Sequence, residues 1–223
     1  MTPKLALTHH QAAGAMQVLC DSTSALTESV DAAAIRTTAV ALCRDGAFAS
    51  NAAAGLPFAL APRNIEVPAE AETFLKQLTR TANAAAASVL CSSILAGHTS
   101  DADDFGDVAI YLGPGDFGPR HERDVLRLLG LEKAVSTDNG SDASLTATHP
   151  IELSAANLIP RTVNVSIGDV PGDAIQELGS LLMRLEDRYA FCVPGPEVLA
   201  FYFLLGRDEE SRWMGLTGVG VHS

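Results

Sequence analysis

The densest chemistry in the chain is the run Asp101-Ala102-Asp103-Asp104-Phe105-Gly106-Asp107, four carboxylates within seven residues. Carboxylates this close repel one another and welcome a cation or a basic side chain. A calcium loop would require regularly alternating ligands and a distal Glu, and the run has neither. It therefore reads as a solvated acidic loop able to face a basic partner. His9, His10, Cys20 and Cys43 have metal-ligand side chains. Adjacent histidines point to different sides of a helix and the thiols lie in apolar stretches, so no metal site is expected. There is no Gly-x-Ser-x-Gly elbow, no Gly-x-x-x-x-Gly-Lys phosphate loop and no His-Glu-x-x-His. Asp116-Phe117-Gly118 copies a kinase tripeptide without the other kinase parts and reads as a turn. His98 and His121 read as solvated polar residues. No catalytic residue and no cofactor is expected.

Two serines upstream of the acidic run invite one enzyme comparison. Ser92-Ser93 followed by Asp107-Val108-Ala109-Ile110 resembles the nucleotidyltransferase pattern, in which a small turn precedes two acids alternating along a strand. That arrangement holds metals for nucleotidyl transfer. Here the turn begins with Ser92 rather than Gly, and Ala109 occupies the second acid position. The resemblance implies a degenerate enzyme, which stands as an alternative to a binding protein. A structural or assembly protein built on Ala-rich helices is a further alternative.

Charge sharpens the choice. The 223 residues carry 15 Lys+Arg against 27 Asp+Glu, for a net charge of −12. Lysine occurs only at Lys4, Lys76 and Lys133. Phosphate binding needs clustered Lys and Arg, so direct nucleic-acid binding is not expected. The acid lies beyond residue 66: residues 1–66 carry four basic and five acidic side chains, and residues 67–150 carry six and twelve. Cys20, Cys43, Cys91 and Cys192 are widely spaced, form no Cys-x-x-Cys pair and sit in apolar surroundings. Buried free thiols in a reducing, cytoplasmic setting are the expectation. The N-terminal residues lack a secretory apolar segment, and no uninterrupted apolar run is long enough for a membrane span.

The elements that would position these groups fall into two compositional regions. Alanine is concentrated early, with 25 of 35 in residues 1–100. Thr8 and Gln11 have capping-box spacing, and Ala12, Met16, Leu19 and Cys20 recur at helical intervals. A second helix is expected from Glu28 to Arg44, ended by Asp45-Gly46. Residues 46–68, with Gly55, Pro57, Pro62 and Pro68, read as a connection. Residues 1–67 are therefore expected to form an Ala-rich helical region, and 68–223 a second domain. That domain should open with a helix from Pro68, striped by Phe74, Leu78, Ala82, Ala85 and Val89. A strand at Val108–Leu112, a helix at Pro119–Leu129 and a polar loop at 134–150 should follow, with a strand at Thr162–Ile167. The leucine-rich helix Ile175–Leu185 then leads to strands at Tyr189–Val193, Val198–Leu205 and Arg212–Val221, the last two as a hairpin. Helices against a mostly antiparallel sheet make an α+β protein, read as an α-β-α sandwich.

The later part resembles the nuclease A inhibitor (NuiA-like) family. The resemblance rests on the Ile175–Leu185 helix and the strand Tyr189–Val193. It continues through the apolar strand Glu197-Val198-Leu199-Ala200-Phe201-Tyr202-Phe203-Leu204-Leu205-Gly206 and the return strand Trp213-Met214-Gly215-Leu216-Thr217. It spans residues 70–223 in order, most specifically the last fifty. It implies an α-β-α sandwich and a non-enzymatic role, occluding a nuclease active site by protein contact. It also implies a contact by the carboxyl-terminal residue, here Ser223, and by a Glu whose position falls near the uncharged Ser93. Together, the residues and the resemblance point to an acidic module that binds a basic protein as an inhibitor or antitoxin-like partner. Asp101, Asp103, Asp104, Asp107 and Ser223 are its expected contacts. Trp213 is expected to be a packing residue rather than an interface anchor.

Overall fold

The computed structural model describes residues 16–21, 30–43, 55–97, 104–131, 148–155, 158–160, 172–196 and 198–221. Among these residues, seven strands form one sheet: β1 (Met16–Asp21), β2 (Leu56–Pro62), β3 (Val108–Pro114), β4 (His149–Ile151), β5 (Glu186–Pro194), β6 (Leu199–Arg207) and β7 (Arg212–Val221). Their spatial order is β1-β2-β3-β7-β6-β5-β4. β2 and β3 run parallel, and every other neighbouring pair is antiparallel. The protein is therefore α+β with a mostly antiparallel mixed sheet. Four helices accompany it among the described residues: α1 (Val30–Leu42), α2 (Ala69–Ser88), α3 (Glu122–Leu128) and α4 (Asp173–Leu182). None is long and apolar enough to cross a membrane.

Strand alternation explains why the sheet is covered on both sides. Successive strand side chains point to opposite faces. Ala109 and Tyr111 of β3, and Ala200, Tyr202 and Leu204 of β6, join an apolar cluster with α2 and α4. Val108, Ile110 and Leu112, with Phe201, Phe203 and Leu205, join a second cluster with Ile35, Ala39 and Leu42 of α1 and Val125 and Leu126 of α3. Both alternating sets are apolar, so neither face of the central strands can be left in water.

α2 begins after Pro68 with Glu70 and Glu72 in its first turn, where the helix dipole favours anions. Ala71, Phe74, Leu75, Leu78, Ala82, Ala85 and Ala86 form its buried stripe. It also makes the crossover that a parallel β2–β3 pair requires. Its C-terminus closes as a Schellman motif, with Cys91 N–H donating to Ala86 O and Leu90 N–H to Ala87 O. The left-handed residue of that motif is Leu90, with φ +57° and 90% of its surface exposed. α3 ends the same way with Gly130 in that position, at φ +69°.

The first sixty residues correct the sequence reading. The helical spacing through Met16, Leu19 and Cys20 gives way to β1, paired antiparallel with β2. Residues 56–62, expected as connection, are buried at every position of β2. Its prolines are tolerated for a positional reason. Pro57 lies opposite Cys20 beside the register shift of β1, and Pro62 is the last strand residue. The expected boundary between residues 67 and 68 does not divide the sheet, because β2 pairs with β3 across it. The expected helix at 28–44 agrees with α1. The strand expected at Thr162–Ile167 lies outside the described residues.

Candidate functional site

Two polar sites stand out, one closed and one open. The closed site gathers Thr79, Asn83, Ser93 and Asp107, all buried. Thr79 and Asn83 are one turn apart on α2, so both reach the sheet from one face. The Thr79 hydroxyl donates to Phe58 O at 2.5 Å and accepts from Ala109 N–H at 2.7 Å, bridging β2 to β3. Asn83 donates to Asp107 O at 2.7 Å and accepts from Asp107 N–H at 3.1 Å. The Asp107 carboxylate then accepts from Ser93 Oγ at 2.8 Å and from Ile94 N–H at 2.5 Å, with Leu95 N–H at 3.4 Å. Gly218 of β7 makes room, since a Cβ there would fall 2.8 Å from Asp107 Oδ1 and 2.9 Å from Ser93 Oγ. Burial pushes the Asp107 carboxyl up to about 6, against the pull of Ser93, Ile94 and Leu95.

This corrects the reading of Asp107 as a surface contact. It is fully buried and holds the 93–97 turn to the sheet. Asp104 is exposed in a turn. Asp101, Asp103 and Ser223 lie outside the described residues. The Ser93–Asp107 pairing also accounts for the nucleotidyltransferase-like spacing. The two residues do meet, but as a closed packing joint, with Ala109 buried beside them.

The open site is a cleft of about 270 Å³ between the start of α2, the α4–β5 turn and the β6–β7 hairpin. Phe74, Leu185 and Met214 line its apolar part, and Glu70, Asp208, Glu209 and Glu210 its acidic part. Arg212 stands among the acids, with its side chain 14% exposed. Its Nε donates to Asp208 Oδ2 at 2.7 Å, its Nη1 to Glu70 Oε1 at 2.9 Å and its Nη2 to Glu210 Oε2 at 2.8 Å. Burial opposes the charge on Arg212, but hydrogen bonds to Glu70 and Asp208 together with nearby carboxylates raise its pKa, so it stays a cation. The same hydrogen bond from Arg212 lowers the Glu70 carboxyl below its usual range. Across the cleft the Arg184 guanidinium lies 4.8 Å from the centre of the Phe74 ring. The cleft thus already receives two guanidinium groups, one on carboxylates and one on an aromatic face.

Sequence reasoning missed this cleft because its parts are far apart in the chain. The local signal was the acidic turn Asp208-Glu209-Glu210 immediately before Arg212. Trp213 is buried, as expected of a packing residue, and donates through Nε1 to Gly115 O at 3.1 Å. Tyr189 holds the same loop through its hydroxyl on Phe117 O at 2.5 Å. His121 lies between Asp116 and Asp124, 3.3 Å and 3.2 Å from their carboxylate oxygens. Among the described residues, no group of His, Cys, Asp and Glu is arranged to hold a metal ion. No family model matches the chain, and no curated protein matches it.

Proposed function

We propose that the chain is a cytoplasmic, non-catalytic module, an α-β-α sandwich that binds a basic protein through the cleft beside Arg212. The observation that carries this reading is the concentration of Glu70, Asp208, Glu209 and Glu210 around one concave surface. Such a surface complements a partner's arginines and accelerates encounter, with strong dependence on ionic strength. The two guanidinium groups of Arg184 and Arg212 illustrate the contacts that partner side chains would make. A nuclease with a basic cleft is the partner class suggested by the resemblance to nuclease inhibitors. Asp104 is exposed but precedes β3 at the end of that strand remote from Arg212, so it would make a separate contact; Asp101, Asp103 and Ser223 stay expected contacts outside the described residues.

The test is titration with a purified basic nuclease and, separately, with an arginine-rich peptide. Both should bind at low ionic strength and release as salt is raised. The paired charge reversal Glu209→Lys, Glu210→Lys should weaken both by at least about tenfold, roughly 1.4 kcal/mol. Binding that ignores both salt and the reversal would refute the proposal.

A further inference from the structure

We infer that Asp107, Ser93 and the 93–97 turn form a proton-linked latch, which holds the turn against β7 in either protonation state and is weaker when charged. The geometry begins with isolation. Asp107 is fully buried, and among the described residues no other carboxylate and no cationic residue is buried. α2 presents Thr79 and Asn83, while its Arg80 is exposed. α1 presents Thr38, whose hydroxyl donates to Gly106 O at 2.6 Å, and its Arg36 pulls the Cys20 thiol pKa down. The turn presents Ser93, and β7 presents Gly218. Among the described residues, a carboxylate here is stabilised by one hydroxyl and two backbone N–H groups.

The hydroxyl is what permits both states. With Asp107 ionised, Ser93 Oγ donates to Oδ1 at 2.8 Å. Ser93 Oγ also accepts from Ala96 N–H at 3.0 Å, so it already works as an acceptor within the turn. With Asp107 protonated, the same contact reverses: the carboxyl O–H donates and Ser93 accepts. Ile94 N–H keeps its acceptor, Oδ2, throughout. Protonation therefore removes a buried charge without removing the short contacts that hold the turn.

The sign follows from linkage. The folded carboxyl titrates near 6, above the ordinary value of 3.8. The folded state then binds the proton more tightly, so this group's contribution is greatest below 3.8 and is lost as pH rises through 6. Between pH 5 and pH 8 the folding equilibrium constant should fall about tenfold on account of Asp107.

The experiment is chemical unfolding of the wild type and Asp107→Asn across that range, with a carbon-13 NMR titration of the Asp107 carboxyl. The wild type should lose about tenfold in folding equilibrium constant relative to Asp107→Asn between pH 5 and pH 8. The carboxyl should titrate near 6. Ser93→Ala, which removes a donor to the charged form, should move that titration upward. A carboxyl that titrates below 4, or a ratio flat with pH, would overturn the inference. The NMR titration decides the matter in wild-type protein even if Asp107→Asn fails to fold.

Discussion

Arg212 ties the start of α2 to the β6–β7 hairpin, and the structure ranks its three partners. Asp208 is as enclosed as Arg212, each with 14% of its side chain exposed, whereas Glu70 and Glu210 are 69% and 63% exposed. Asp208 also accepts from the Arg212 backbone N–H at 2.8 Å, so it is fixed from two directions. Exposed ion pairs contribute about 0–1 kcal/mol, and breaking a buried pair costs about 3–5 kcal/mol. The enclosed but not fully buried Arg212–Asp208 pair belongs between these limits, at about 2 kcal/mol of coupling. The perturbation is a double-mutant cycle with Arg212→Met and Asp208→Asn, followed by urea unfolding in low and high salt. The coupling should persist in high salt, because the pair is shielded from mobile ions. A parallel cycle with Glu70→Gln should give a smaller coupling that salt abolishes. Equal couplings for Asp208 and Glu70, or an Asp208 coupling erased by salt, would refute the ranking.

Three further outcomes follow from particular positions. Leu90→Gly should stabilise the protein by about 0.5–1 kcal/mol, since it relieves a left-handed leucine that buries almost nothing, offset partly by chain entropy; thermal unfolding should show the gain for Gly and none for Leu90→Ala. Asn83→Leu should cost about 2–4 kcal/mol in urea unfolding, because it strands the N–H and C=O of Asp107 without partners. Burial raises the thiol pKa of Cys20 and of Cys192, so both should alkylate more slowly at neutral pH than a free cysteine, as followed by mass spectrometry.

What the sequence revealed depended on how much of each element's reason was local. β6 and β7 were legible because an apolar run, an acidic turn and a second apolar run state a hairpin by themselves. α4 was legible from leucines at helical spacing. β1 was not, because four residues at helical intervals inside an Ala-rich stretch carry little directional information, and pairing with β2 overrode them. β2 was hidden by its own burial: Leu56 to Pro62 is covered on both faces, so no alternation survives, and its prolines suggested a connection. Asp107 was misplaced for a similar reason. In sequence it closes an acidic run, while in space it turns inward to Ser93, fourteen residues earlier. The cleft joins residues 70, 184 and 208–212, a combination that only the folded topology brings together.

The position of β7 has a consequence for biosynthesis. It is translated after the other six strands, yet it occupies the middle of the sheet, between β3 and β6. Until it emerges from the ribosome, β3 and β6 each present an unpaired edge lined with apolar residues, the kind of surface that recruits other chains. The nascent protein must therefore keep two half-sheets apart and accept its central strand last. A premature stop before Arg212 would leave both edges permanently open. Aggregation of such a truncated chain, rather than a stable shortened fold, is the physical consequence of this strand order.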